Sequence, residues 1–415
     1  MIVVGGTYSE LVEVPEYQDD VSGSGMRAAA ALRYADVSLV TAIDEMTSDA
    51  ASAAAASLEV DRIVIERDQP VGFRYFTPVS DPAIDGPTAS FDEPLRAEDE
   101  AVLVFGMIER GEISVSAERL IVDPQRPRDL VRIETTGLTW KKLAVVANRR
   151  EIGALANIGE TPEECARDVL ETSGAEVVVV KDSGRGCLVV VQGREESVRV
   201  GPFPTRTIWP LGSGDIFAAG FAHAWSHGAD PVEAARIASG CAAWWCGSRP
   251  NAQSAIPVRI LNGDPVASVL DTAGPELTIP ERPPVIYLAA PFFSLPERWL
   301  IELCRDVLMG LGADVFSPFH DVGIGGDEVA EKDLAGLEGS DAVFAILEGW
   351  DPGTVYEVGW AHKKGLPVVG FLNSAHDSRS KMLVGAGAEI HHDLSSALYR
   401  AVWAGQGQQL VAGRV

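Results

Sequence analysis

The chain has 415 residues, 46% of them hydrophobic, which is enough for two or more packed domains. A formal net charge of -26 argues against a nucleic-acid-binding surface, which needs a basic face, but leaves room for small anionic ligands held by backbone N–H groups. No apolar run approaches the ~18–20 residues that span a bilayer, and five irregularly spaced cysteines without a Cys-x-x-Cys predict buried free thiols in a reducing cytoplasm.

In chain order, Met1-Ile2-Val3-Val4-Gly5-Gly6 is a strand entering a turn, too short and uncharged for a signal peptide. Gly23-Ser24-Gly25 precedes an alanine-rich helical run over residues 26–34, whose small side chains allow close approach to a sheet. The alanine patch at 51–56 also reads as helix. Strands are predicted at 37–42, 71–78, 101–105, 120–123 and 143–148, with a helix following from Glu151. Thr161-Pro162-Glu163-Glu164 is an N-cap with proline in the first helical position. Residues 175–181 form a near-continuous apolar strand of the kind buried in parallel sheets. This alternation predicts an α/β domain with a largely parallel sheet.

Leu211-Gly212-Ser213-Gly214-Asp215-Ile216-Phe217 brings three small residues to an acid and then an apolar helix. Free N–H groups at such a helix start, aided by the helix dipole, make an anion hole. An aspartate there can take the proton of a substrate hydroxyl while a phosphoryl group is held beside it. The competing reading is a glycine-rich turn with Asp215 as an N-terminal charge.

Residues 1–255 resemble the ribokinase-like, or PfkB, carbohydrate kinase family. The resemblance rests on Asn148-Arg149-Arg150-Glu151, on the strand and loop from Val178 to Lys181, Gly186 and Cys187, and on Gly212-x-Gly214-Asp215-x-Phe217-x-x-Gly220. It implies a ribokinase-like αβα sandwich with Asp215 as catalytic base. ATP would lie against Gly212, Ser213, Gly214, Asn148, Lys181 and Gly186, with Mg²⁺ near Glu151. Two departures stand out. Trp209-Pro210-Leu211 replaces the family's Asp-Thr-Thr, and Arg27 falls where an asparagine usually contacts the sugar. Arg27 is either a contact for an anionic ligand group or a solvated helix residue. The domain is also short for the family, so a reduced lid is expected.

Residues 256–284 hold six prolines and read as a linker with one short helix near 266–270. Beyond them, the apolar run at 342–347 leads through Asp351-Pro352-Gly353 into a helix carrying Glu357. In open α/β sheets ligands bind beyond the carboxyl ends of strands, and paired carboxylates of unequal environment suit cleavage of a glycosidic bond. The competing reading makes Asp351 a helix cap and Glu357 a surface residue.

Residues 285–405 resemble the nucleoside 2-deoxyribosyltransferase family. The matching pieces are Val285-Ile286-Tyr287-Leu288-Ala289-Ala290-Pro291, Asp333 with Ser340-Asp341-Ala342-Val343, and Asp351-x-Gly353-Thr354-x-x-Glu357-x-Gly359-x-Ala361. The resemblance implies a flavodoxin- or Rossmann-like doubly wound domain that needs no cofactor. Glu357 would be the nucleophile and Tyr287 would orient it. Asp351 and Asp333 would contact the base, one of them as general acid. A neighbouring subunit of a homo-oligomer would complete the site, with Asn373 and Lys381 as candidates. An amphipathic helix is predicted at 299–311, and the glycine-rich loop at 320–327 is either a cover for the sugar or 5′-phosphate or a surface loop. His391-His392-Asp393 reads as a solvated helix cap rather than a metal site, and residues 406–415 as a tail.

The expectation is therefore a cytoplasmic, bifunctional enzyme acting on small nucleoside, nucleotide and sugar substrates, with no nucleic-acid or membrane partner. Its C-terminal domain would cleave or transfer an N-glycosidic bond. Its N-terminal domain would phosphorylate a sugar or nucleoside hydroxyl, or bind such a ligand without turnover. The alternatives are a sugar or nucleoside kinase with a nucleotide-sensing C-terminal domain, and a non-catalytic signalling protein.

Overall fold

Val177–Lys181 is buried along nearly its whole length, as a strand needs to be when helices cover both faces of its sheet. Its side chains alternate between two cores. Val177 and Val179 join one cluster with Ile216, Phe217 and Ala238, while Val178 and Val180 join another with Ile152, Ala166 and Val169. The computed structural model describes residues 1–125, 137–248, 255–263, 274–323, 325–326, 328–373, 378–408 and 413–414. It divides into two compact units, 1–274 and 275–415, except that Ser183–Arg185 and Pro204–Trp209 group with the second.

The first unit is built on a nine-stranded sheet. Its spatial order is Val198–Val200, Cys187–Val191, Val177–Lys181, Gly137–Asn148, Ile113–Asp123, Leu95–Phe105, Ile2–Val4, Ser38–Ile43 and Asp61–Glu66. All neighbours are parallel except that Cys187–Val191 runs antiparallel to both of its neighbours, Val198–Val200 and Val177–Lys181. Helices Ser24–Ala31, Ser213–Ser226 and Pro231–Ser248 cover one face, and Arg149–Leu155 and Pro162–Ser173 the other. This is the αβα sandwich expected from the alternation. Gly25 allows the first helix to press on the sheet, because a Cβ there would lie 2.6 Å from the Gly5 carbonyl.

Three central strands begin earlier than their apolar runs predict. Leu95–Phe105, Ile113–Asp123 and Gly137–Asn148 each extend through residues that alternate with solvent, so backbone pairing outruns the hydrophobic signal. The first unit also carries a second, four-stranded sheet in the order Gln18–Ser22, Tyr8–Val12, Gly72–Tyr75 and Ala83–Asp85. Ile256, Ile260 and Leu261, linker by composition, are buried in the core of the first unit. The helix expected at 266–270 lies outside the described residues.

The second unit is a six-stranded, all-parallel sheet in the order Asp314–Phe316, Val285–Ala289, Ala342–Ile346, Val368–Phe371, Glu389–His391 and Gly413–Arg414. The chain starts on an inner strand, steps outward to one side and then crosses to the other. The reversal of direction falls between Val285–Ala289 and Ala342–Ile346, the topological switch point where such sheets open a crevice. Gly413–Arg414 adds an edge strand where a tail is expected, because its backbone completes the ladder of Glu389–His391. The amphipathic helix begins four residues early, at Leu295–Gly310, under a capping box of Ser294 and Glu297. In the expected loop, Pro318–Val322 forms a short helical turn, and Asp327 lies outside the described residues. His391 corrects the reading as a solvated cap: it is fully buried on its strand against Glu389, while Asp393 alone caps Leu394–Gly405. All five cysteines are free, and no helix among the described residues is long and apolar enough to cross a membrane.

A buried ionic network ties the four-stranded sheet to the main sheet of the first unit. The Arg67 side chain is 0% exposed and pairs with Asp44 (2.6 Å) and Glu109 (2.8 Å), and Glu109 also accepts the Tyr8 hydroxyl (2.7 Å). Removing the cation leaves two buried acids without their partner. Arg67→Met is expected to destabilise the first unit by about 3–5 kcal/mol, read as an earlier transition in chemical denaturation.

Candidate active sites

In the second unit the switch point brings together residues that the sequence spaces 70 apart. Tyr287, on the strand Val285–Ala289, is 0% exposed, and its hydroxyl donates to Glu357 Oε1 at 2.6 Å. Its ring stacks on Phe316 of the neighbouring strand, with centroids 5.6 Å apart and planes 12° apart. Those two residues are register partners, so the ladder itself fixes the stack. Phe316 in turn allows the helix Val329–Glu338 to come close. Gly336 faces its ring so tightly that a Cβ would lie 2.2 Å away, which fixes the helix turn carrying Asp333.

Glu357 lies in the helix Pro352–Lys364 and is partly buried. Burial pushes its carboxyl up to about 7; the Tyr287 hydrogen bond opposes this, and the charges of Asp333 and Asp351 add to it. Burial also raises Asp333, whose Oδ1 is buried with no hydrogen-bond partner. Burial and the Glu357 charge hold the Tyr287 phenol far above its ordinary value, so it remains a donor. Asp351 caps the helix: its Oδ2 accepts from Thr354 N (2.8 Å) and Thr354 Oγ1 (3.1 Å). The helix-cap reading of Asp351 therefore holds together with an electrostatic effect on Glu357. The result is one carboxylate oriented by a phenol, beside a second acid with an unsatisfied oxygen. The Asn373 backbone N–H donates to Glu348.

In the first unit Asp215 lies in the first turn of Ser213–Ser226 and is buried. Gly212 caps that helix with φ 79°, a left-handed conformation that glycine adopts without strain. Lys181 meets Asp123 Oδ2 at 2.6 Å, and its Nζ is 3.6 Å from where a Gly214 Cβ would be, which places a cation beside the small residues of the helix start. Burial opposes the charge on Lys181, but Asp123, Glu151 and Asp215 more than offset it and hold the amine above its usual value. Gly186 has φ 73° and turns the chain tightly under Val200.

Arg27 is not a solvated helix residue: it is 8% exposed. Its guanidinium donates through Nη1 to Asp215 Oδ2 and through Nη2 to Glu10 Oε2. It also lies 5.9 Å from the centroid of the Trp245 ring. Gln125 Nε2 donates to the other Asp215 oxygen at 2.5 Å. Asn148 and Glu151 form a capping box on Arg149–Leu155. Both Glu151 oxygens are taken by Asn148, at 2.7 Å from its backbone N–H and 2.6 Å from its side-chain amide. Gly212, Ser213, Gly214 and Lys181 thus fit a phosphate. Glu151 is held as the capping partner of Asn148, and among the described residues no cluster of three or more His, Cys, Asp or Glu side chains is arranged for a metal ion.

Sequence reasoning missed Glu10, Gln125, Phe316 and Gly336. Glu10 is a buried acid on Tyr8–Val12, a short strand that no apolar run announces, and Gln125 carries no motif. Asp123 ends a predicted strand, and a carboxylate at the carboxyl end of a parallel strand is a signal that can be read.

Residues 142–259 match the family model described as pfkB family carbohydrate kinase, and residues 286–394 match that of nucleoside 2-deoxyribosyltransferase. The chain therefore joins a PfkB-type domain to a deoxyribosyltransferase-type domain on its C-terminal side, and both families are enzyme families. Similar solved structures include a ribokinase from Thermotoga maritima, with 22% identity over 65% of this chain and 99% of that one at TM-score 0.49. A nucleoside kinase from Methanocaldococcus jannaschii is 12% identical over 63% and 98%, at TM-score 0.45. The phosphofructokinase-2 from Escherichia coli, in complex with fructose-6-phosphate, is 13% identical over 64% and 98%, at TM-score 0.45. No curated protein matches the chain.

Because the folded state holds the Glu357 proton more tightly than the unfolded chain, ionising that carboxyl costs stability as pH rises from about 4.5 towards 7. Glu357→Gln should gain stability relative to the parent as pH rises through that window. Carboxyl titration by NMR should place Glu357 near 7. Tyr287→Phe should raise that midpoint and Asp333→Asn should lower it.

Proposed function

We propose that the second unit breaks the N-glycosidic bond of a (deoxy)nucleoside or its 5′-monophosphate. The observation that supports this best is the Tyr287–Glu357 hydrogen bond of 2.6 Å beside the unpaired, buried Asp333 Oδ1. Ionised Glu357 attacks the anomeric carbon: a carbon–oxygen bond to Oε2 or Oε1 forms as the bond to the base nitrogen breaks. Tyr287 keeps the carboxylate in line. Asp333 supplies the proton that the departing base needs, since its Oδ1 is unengaged whereas Asp351 Oδ2 is held by Thr354. The two acids interact, so the productive state has Glu357 ionised and the proton on Asp333. Water then releases the free sugar, or a second base takes its place. The second step decides between hydrolase and transferase and uses the same residues.

The first unit, on this reading, takes a nucleoside triphosphate at Gly212–Ser213–Gly214 and Lys181, together with a sugar or nucleoside ligand. Glu151, held in its capping box with Asn148, is the carboxylate that would stand near a Mg²⁺ ion accompanying the nucleotide. A shared metabolite is the simplest reason for the two units to occupy one chain.

The test is release of free base, followed by chromatography, from a panel of ribo- and deoxyribonucleosides and their monophosphates. The parent should release base from at least one of them, and Glu357→Gln should reduce that rate on the order of 10⁴-fold. Base release unaffected by Glu357→Gln sinks the proposal.

A further inference from the structure

Phosphoryl transfer to a hydroxyl requires that its proton reach a base within hydrogen-bonding distance. In the first unit the acid placed for this is Asp215. Each of its oxygens already accepts a hydrogen bond. Oδ2 accepts from Arg27 Nη1, and Oδ1 accepts from Gln125 Nε2 at 2.5 Å. Gln125 is held for this contact in a left-handed backbone conformation, φ 47°, which a non-glycine residue seldom adopts.

Arg27 also fills the approach to the acid. A Cβ on Gly212 would lie 2.4 Å from Arg27 Nε and 2.5 Å from its Cδ, so the guanidinium stem lies directly against the helix start. The second arm is anchored on Glu10 of the four-stranded sheet, and the Trp245 ring lies on its flank. Arg27 is 8% exposed, yet its Nε is buried without a hydrogen-bond partner. A guanidinium cannot shed its charge to leave such a place, and leaving would uncover two buried acids. An acceptor hydroxyl therefore meets a bound cation where it needs a free carboxylate oxygen. An anionic acceptor gains little leverage, since Glu10 and Asp215 together outnumber the one positive charge between them.

The triphosphate side is different. Lys181 keeps its charge beside Gly214, and its partner Asp123 is 0% exposed with Oδ1 buried and unpaired. The Arg27 stem lies against Gly212, whereas Gly214, two residues further along the helix start, faces Lys181.

We propose that the first unit retains a nucleoside triphosphate without transferring its terminal phosphoryl group, because Arg27 occupies the acid that the transfer needs. This rests on the reading of the unit as a kinase-type site and decides between its two outcomes. With Arg27 gone, the terminal phosphoryl group moves from the triphosphate to the acceptor oxygen, that hydroxyl's proton passes to Asp215, and the diphosphate leaves.

The experiment uses the full chain. Calorimetry with the non-hydrolysable analogue AMP-PNP measures binding. Chromatography after incubation with ATP and ribose, 2-deoxyribose, adenosine or 2′-deoxyadenosine measures phosphate esters. The parent should bind AMP-PNP and form no ester. Arg27→Met should keep AMP-PNP binding and raise ester formation by at least about 10²-fold, a gain that Asp215→Asn in the same chain should abolish. Arg27→Lys, which keeps a charge but cannot reach both acids at once, should show a smaller gain and serves if the methionine variant does not fold. Ester formation by the parent over many turnovers, lost in Asp215→Asn, overturns the inference while the kinase-type reading stands. Arg27 variants that bind AMP-PNP but gain nothing overturn it too. No binding of AMP-PNP to parent or variant removes the kinase-type reading itself.

Discussion

A fully buried phenol that donates at 2.6 Å to a half-sheltered carboxylate is the contact on which the second unit's chemistry depends. Tyr287 sits on the strand Val285–Ala289, where its ring is locked by the Phe316 stack, and Glu357 sits on the helix that follows the next strand across the switch point. Neither group has its orientation without the parallel ladder. The hydrogen bond also works against the other forces on Glu357. Burial and two nearby acids favour the protonated form, and the phenol alone among these favours the anion. The carboxyl consequently sits close to neutral pH, where it can be ionised without being solvated.

The two units treat a helix-borne acid in opposite ways. Glu357 is surrounded by groups that leave an oxygen available and raise its proton affinity. Asp215 is surrounded by donors, with Arg27 on one oxygen and Gln125 on the other. The same element, an acid in the early turns of a helix after a strand, therefore points to different behaviour in each half. The difference comes from residues far away in the chain: Asp333 and Tyr287 in one case, Arg27, Glu10 and Gln125 in the other.

Much of the second site is legible in the chain, because its residues lie in short motifs that read in order. Tyr287, Asp333, Asp351 and Glu357 can each be named before any coordinates, and so can the capping role of Asp351. In the first unit the glycines and Asp215 are equally legible. Arg27 is legible as an oddity but not as a contact, since a single arginine in an alanine-rich helix says nothing about which acids it meets. Glu10 is hidden because its strand is half polar and lies in a sheet that no apolar run announces. Asn148 and Glu151 carry two readings at once: their spacing of three suits a site and also a capping box, and the structure forms the box.

Local pattern alone determined what is local: the buried valine strands, the helix starts, the α/β class of both halves, and the acids beside their glycines. These follow from periodicity and from the few residue types that suit a cap or a tight turn. Tertiary structure decided which acids are free. The register of Tyr287 with Phe316, the close approach at Gly336, and the reach of Arg27 across 188 residues to Asp215 are all long-range. A side chain's availability depends on every group that the fold brings against it, and those groups come from parts of the chain whose own sequence gives no sign of the meeting.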